Sequence, residues 1–306
     1  MREGRWKSLA RGLPLVLLAM VLWREKPLTV TVMPELSARA AWTIAAAILL
    51  NFSVCLPLKA ARWRLALSRP PPFREALAAT LEGLLAGAAL GFGSGDLVRA
   101  ARIRRPGREL ALDYACTWAE RGAETFALAL LVFATALVTS LGTLALGLSG
   151  LAMVGYLAVL GTGRILAPRL VRWPRCQRLL SAVVQASTPG KVAAIAGLSL
   201  LGWASEGAML VLFQRLFGLE PSAGTAALTL VGINAAIAIP LAPGNFGTFE
   251  AGATLALVSA GVPRELAISY AVIYHLTHVL PVAVVATGVY LARRWSTTPS
   301  RTSIGR

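Results

Sequence analysis

The sequence predicts an all-α polytopic membrane protein, and three observations carry that prediction. Of its 306 residues 56% are hydrophobic and only 14% charged, against about 25% charged in soluble domains. Uncharged runs cover 40–58, 125–163 and 221–249, and 266–292 carries only two His; a membrane helix needs about 20 such residues. The net charge of +16 is unevenly placed, because 24 of the 30 Lys and Arg fall in five clusters, at 1–11, 59–74, 99–108, 164–191 and 293–306. That pattern reads as the basic bias of cytoplasmic loops, not as a nucleic-acid surface.

The elements follow in order. Arg2, Arg5, Lys7 and Arg11 precede a short apolar run that ends at Trp23, with no small-residue cleavage site before Arg24. It is read as a retained first span, about 9–23, with Arg11 snorkelling. A second span covers 40–58. Loops 59–74 and 99–108 then lie on one side, so the apolar, Gly-rich segment between them, about 76–98, must enter and leave by one face. Broken backbone at membrane depth survives only when it is buried or lines a cavity, and a re-entrant hairpin fits.

The 39-residue uncharged run 125–163 is too long for one span. It splits near Thr139–Thr143 into spans of about 109–139 and 142–163. A basic cytoplasmic connector, 164–191, includes an amphipathic stretch (169–187) suited to anionic headgroups, and a span at 192–214 follows. Residues 224–242 are apolar, PGNFG breaks the helix at 243–247, and Thr248–Ala260 is too short to cross. This is a second re-entrant hairpin, entering from the outer face. The last span is 266–292. About six full spans and two re-entrant hairpins result, in a single domain of the cytoplasmic (inner) membrane with both termini cytoplasmic.

Two segments repeat. RELALDYA at 108–115 matches RELAISYA at 264–271, with six identities in eight, and TLEG at 80–83 matches TLVG at 229–232. Each half also carries a Gly-rich break followed by an acid, Asp96 in one and Glu250 in the other. The charge-derived topology makes the halves inverted, about 40–138 and 192–292. Inverted repeats with paired broken helices are transporter architecture, with the site at the midplane.

Several motifs carry a family resemblance. They are Arg62-Trp63-Arg64, G-x-G-D-L-V-R at 93–99, Glu120-Arg121-Gly122-x-Glu124, P-G-N-F-G-T-F-E at 243–250 and G-V-P-x-E-x-A at 261–267. Through them the chain resembles the transmembrane flippase-like family typified by the membrane domain of lysylphosphatidylglycerol synthase, over about residues 5–295. The resemblance implies movement or binding of polar lipids. It does not imply aminoacyl transfer, because the synthases carry a soluble catalytic domain after the membrane region and this chain stops at Arg306. The first break also departs from the family, reading GFGSGD.

The candidate residues are the charges and breaks left inside apolar segments. A charge at the bilayer centre costs about 2.5–3.5 kcal/mol on insertion scales, so Glu120, Arg121 and Glu124 must pair, meet a headgroup, or both. Arg121 and Glu124 are spaced to pair, and Glu120 and Glu124 share a face. Arg99 is either a phosphate-binding guanidinium or an ordinary loop charge. In the second break Gly244, Asn245 and Gly247 open the backbone, and a helix starting near Thr248 aims its N-terminal dipole inward, an anion-binding geometry. Asn234 sits at membrane depth before it. Glu250 either satisfies that dipole or exchanges a proton. His275 and His278 are either interior histidines or proton relays with Glu250.

Cys55, Cys116 and Cys176 form no CxxC, and no metal-ligand spacing, Walker motif or Ser-His-Asp spacing occurs, so no cofactor, metal or enzymatic step is expected. The expected partners are membrane lipids, moved or bound. The alternative is a non-transporting scaffold that recruits a lipid-modifying enzyme to the basic loops.

Overall fold

The computed structural model describes residue 34 and residues 37–296, except 92, 105, 107, 108, 139–141, 171 and 238–242. The expected first span, both chain termini, Pro240 and most of the expected turn near Thr139–Thr143 lie outside the described residues. Ten helices and no strand are found among those described. They are α1 (Ala38–Ala66), α2 (Phe73–Leu90), α3 (Ser94–Arg102), α4 (Leu110–Val138) and α5 (Gly142–Leu166), then α6 (Pro174–Ala186), α7 (Pro189–Leu216), α8 (Ala223–Ile237), α9 (Thr248–Ser259) and α10 (Arg264–Ser296).

Four segments are long and apolar enough to cross a membrane: Ala38–Ala66, Ser149–Arg169, Pro189–Leu216 and Arg264–Ala292. They correspond to four of the expected spans. Helix α4 has 29 residues, about 43 Å at 1.5 Å per residue, with its charges in its first half. Large apolar side chains point away from the protein, among them Trp42, Leu151, Leu201 and Val284. On helices of this length such a face suits lipid.

Local chemistry sets the helix ends. The Ser37 hydroxyl accepts from Ala40 N–H at 3.1 Å and starts α1, an N-cap. Proline stands in the first turn of both α6 and α7, where its missing N–H costs nothing. Helix α1 is continuous but passes through a π turn at Asn51–Cys55. Pro57 has no N–H to offer the Ser53 carbonyl, and the Leu56 N–H instead reaches back five residues to Asn51 O. The extra residue re-aims every side chain beyond it.

Both expected breaks are helical hairpins. Helices α2 and α3 fold back through Gly91 and Gly93, whose φ values are +66° and +70°, a region glycine enters freely. They pack backbone to backbone at Gly83 against Gly95, where a Cβ on Gly83 would lie 2.7 Å from the Gly95 carbonyl oxygen. Helices α8 and α9 do the same through Gly232 and Gly252, where a Cβ on Gly232 would lie 2.6 Å from the Gly252 oxygen. The two hairpins touch at their tips: a Cβ on Gly244 would come within 3.2 Å of the Ala88 carbonyl oxygen at the end of α2.

The main core gathers α1, α7, α8, α9 and α10 around Phe213, Tyr270, Tyr274 and Leu257. Tyr270 donates to the Leu210 carbonyl at 2.7 Å, so its burial leaves no orphaned hydroxyl. A smaller core surrounds Trp63 and takes in Cys116 and Ala119 of α4. The amphipathic segment within 169–187, expected to lie on headgroups, docks part of its apolar face on this protein core through Ala182, Val183 and Ala186. Arg178 of α6 also meets Glu109 at 2.9 Å.

Candidate functional site

Three acids and three arginines meet where α1, the first hairpin and α4 pack. Asp96 and Arg99 come from α3, Glu120, Arg121 and Glu124 from α4, and Arg62 from α1. Arg62 Nη2 donates to Glu124 Oε1 at 2.7 Å, and the other Glu124 oxygen accepts from Arg121 Nη1 at 3.1 Å. Arg121 also grips both oxygens of Asp96, with Nη2 at 3.0 Å and Nε at 3.2 Å. Asp96 Oδ1 accepts from Arg99 Nη2 at 2.9 Å, and Arg99 reaches Glu120 Oε2 at 2.9 Å. Glu120 Oε1 faces Arg62 Nε at 3.6 Å.

The charges therefore close into a ring of six, alternating in sign and neutral in sum. This explains how Glu120, fully buried, stays in an apolar helix: removing one member would leave a buried charge uncompensated. The weak segment is Arg62 Nε against Glu120 Oε1, neither of which makes a hydrogen bond. Trp63 forms a floor, with the Arg99 guanidinium 5.1 Å from its ring centroid in a cation–π arrangement. The indole N–H is fixed by Thr117 Oγ1 at 3.0 Å. Arg62 and Arg99 are buried, whereas the Arg121 side chain is 48% exposed, so Arg121 is the member reachable from outside.

A second set of contacts lies on α10. His275 Nδ1 is 2.6 Å from Glu250 Oε1, and Glu250 Oε2 accepts from Gly247 N–H at 2.7 Å. Glu250 thus caps α9 with its own carboxylate and holds a histidine with the other oxygen. Of the two roles expected for it as alternatives, the cap is present, with the histidine contact beside it. The imidazole is clasped by Phe249, stacked at 4.1 Å, and by Phe246 at 4.7 Å. His278 meets a different acid, with its Nε2 3.2 Å from Glu206 Oε2. Only His275 meets Glu250 of α9; His278 faces Glu206 of α7. Tyr274 donates to the same Glu206 oxygen at 3.1 Å, and Lys59 Nζ lies 3.9 Å from Oε1.

The remaining candidates separate. Asn234 donates its amide to the Leu230 carbonyl at 2.8 Å, on its own helix. Gly244, Asn245 and Gly247 all take positive φ, at +65°, +59° and +83°, so this break is open backbone as expected. Its helix N-terminus already holds Glu250. Arg99, expected to face a phosphate or lie in a loop, is instead buried among carboxylates.

Sequence reasoning assigned no site role to Arg62, Lys59 or Ser199. Ser199 of α7 accepts from Arg62 Nη1 at 3.0 Å. One signal was available: three acids in apolar segments, Asp96, Glu120 and Glu124, with Arg121 as the only cation placed beside them and Arg99 left between site and loop. Neutrality asked for two more. No group of three or more potential metal ligands occurs among the described residues.

No curated protein and no solved structure matches the chain. A family model described as the lysylphosphatidylglycerol synthase TM region matches residues 12–286. The motifs that suggested this relationship, from Arg62-Trp63-Arg64 to P-G-N-F-G-T-F-E, all fall inside the match and supply members of both charge networks. The chain belongs to the lysylphosphatidylglycerol synthase TM region family, a membrane-only domain family.

Proposed function

We propose that this chain is a flippase-like protein of the cytoplasmic membrane that moves or binds polar, anionic lipids. Membership in a lipid-related membrane family supports the substrate class. The observation that carries the transport reading is the meeting of two broken hairpins at their tips, Gly244 against Ala88. Inverted repeats about 40–138 and 192–292, six full spans and two re-entrant hairpins remain the topology we favour. In its support, Gly83 and Gly232, the last residues of the TLEG and TLVG matches, make the same kind of helix–helix contact.

In this reading a headgroup reaches the ring through Arg121, whose guanidinium is already shaped for bidentate oxyanion contact. Glu250 with His275, and Glu206 with His278, are proton-exchanging pairs on the facing side. No covalent step is required of the protein.

The test is transbilayer movement of a labelled anionic lipid in proteoliposomes, comparing wild type with Arg121→Gln and Glu250→Gln. Both variants should lose movement. Unchanged movement in both, at normal expression and folding, would sink the assignment of these residues. Wild-type protein that moves no lipid but co-purifies with a lipid-modifying enzyme through 164–191 would favour a scaffold instead.

A further inference from the structure

Helix α4 leaves one face open. Trp118 is 62% exposed, Arg121 and Thr125 are exposed, and Tyr114 is half-buried. Steps of four, three and four residues place these side chains on one stripe. The first hairpin flanks it. Leu90 and Leu97 there are exposed, and a Cβ on Gly93 would lie 3.5 Å from the Tyr114 hydroxyl.

This stripe is not a plain surface for lipid tails. Arg121 lies about 17 Å along a helix of about 43 Å, at 1.5 Å per residue. With its side chain 48% exposed, it presents a charge at a depth where a membrane offers hydrocarbon. Asp96 and Glu124 take three of its N–H groups. A guanidinium has five, and the other two bond nothing among the described residues.

Toward the start of α4, Trp118 and Tyr114 meet edge to face, with ring centroids 6.3 Å apart. Neither the indole N–H nor the phenol hydroxyl has a hydrogen-bond partner among the described residues. Both rings join an apolar body to a polar tip, which suits a place between tails and headgroups. One turn beyond Arg121 the pattern stops, because Thr125 returns its hydroxyl to the Arg121 carbonyl at 2.9 Å. The free polar tips thus form a line that ends at Arg121.

Three donors in line on an open apolar face fit an anion whose other end is apolar. A second copy packed on this stripe about a two-fold axis would turn Arg121 toward its own counterpart, and like charges oppose that contact. The loop that feeds α4 carries the exposed Arg104, which draws anions to the same end of the helix.

We infer that the seam between α3 and α4 is a lateral track for the phosphate headgroup of one membrane lipid, with Tyr114 and Trp118 as its guides and Arg121 as its end. The acyl chains stay in the bilayer alongside Leu90 and Leu97. The inference deepens the lipid reading above and rests on it for α4 as a membrane span.

The test uses the full chain in dodecylmaltoside with trace photoreactive phosphatidylglycerol, its diazirine at the start of one acyl chain. Photoreactive diacylglycerol with the same chains is the phosphate-free probe, and adducts are mapped by peptide mass spectrometry. Phosphatidylglycerol should label the segments around Leu97 and from Tyr114 to Arg121 in preference to diacylglycerol. Tyr114→Phe and Trp118→Phe keep a ring and remove only the polar tip. Each should lower that labelling about tenfold, the scale of one hydrogen bond to a charged group. Trp42→Phe, at an exposed tryptophan of α1, should leave it unchanged.

Equal labelling by the two probes, or unchanged labelling in both phenylalanine variants, overturns the inference. Disulfide-linked dimers of Trp118→Cys in a Cys176→Ser background would place a second copy on this face and overturn it as well. Phosphate-dependent labelling here by a protein that moves no lipid would keep the track and remove the transport reading. Lipid movement that is unaltered in both phenylalanine variants, with adducts elsewhere, would do the reverse.

Discussion

Arg62 Nη2 lies 2.7 Å from Glu124 Oε1, joining α1 to α4 across 62 residues of sequence. Both side chains are about nine-tenths buried, so each is the other's means of staying charged inside the protein. Arg62 also faces Glu120 at 3.6 Å, and the arginine therefore answers two acids.

Arg62→Met should be strongly destabilising, by about 3–5 kcal/mol, because it leaves buried carboxylates uncompensated. Adding Glu124→Gln to it should recover part of that loss, and a thermal-unfolding double-mutant cycle measures the coupling. Strictly additive losses would contradict a shared ring. Arg102→Gln is the contrast: its pair with Glu82 is one-third exposed on the arginine side, so about 1 kcal/mol or less is expected.

The hairpin glycines should not tolerate even a methyl group. Gly232→Ala and Gly83→Ala force a Cβ against a facing carbonyl at 2.6 Å and 2.7 Å, which should cost about 1–3 kcal/mol by overpacking. Gly197 in α7 has nothing within 4 Å of the same position, and Gly197→Ala should be near neutral. Melting temperatures in a single detergent decide between them.

Glu250 joins a helix cap to a histidine, and two substitutions separate these from charge. Glu250→Gln retains an acceptor for Gly247 N–H and should stay within about 1 kcal/mol of wild type. Glu250→Ala removes the cap and the His275 contact together and should lose about 1–3 kcal/mol. If the glutamine variant is folded and stable yet moves no lipid, the carboxylate acts beyond its role as a cap.

Topology can be read by labelling. Cys55 and Cys116 are buried and Cys176 exposed, so a Cys176→Ser background removes the accessible thiol among the described residues. Arg104→Cys and Arg172→Cys, both at exposed positions, should then react with an impermeant maleimide from the same side. Labelling from opposite sides would rule out that α4 and α5 both cross the membrane.

Much of this architecture could be read from the sequence, because its cause is chemical and local. PGNFGTFE cannot continue a helix, and the structure breaks there; the GSGD segment likewise begins a new helix with Gly93 before it. Glu120, Arg121 and Glu124 stood out because nothing apolar explains them. Arg62 was counted with loop charges and Arg99 was left between a phosphate contact and a loop charge, since a basic residue near a span end has the same composition whether it faces water or a carboxylate. For Arg62, the continuation of α1 to Ala66 separates those cases. The π turn was illegible for a similar reason: Pro57 announces a lost hydrogen bond, not how the chain repairs it. The two histidines share a face of α10 by spacing, but which acid each meets is set by the neighbouring helices.

The closed ring has one further implication. An anion that takes the side-on edge of Arg121, its Nε and Nη2, does so by displacing a carboxylate, because Asp96 already holds both. Attachment becomes a swap between oxyanions of similar strength, like the loading of an ion-exchange resin. The net free energy of such a swap is small whichever carboxylate yields, and the displaced acid stays beside the site to reclaim its place. A guest held this way is released as readily as it is taken up.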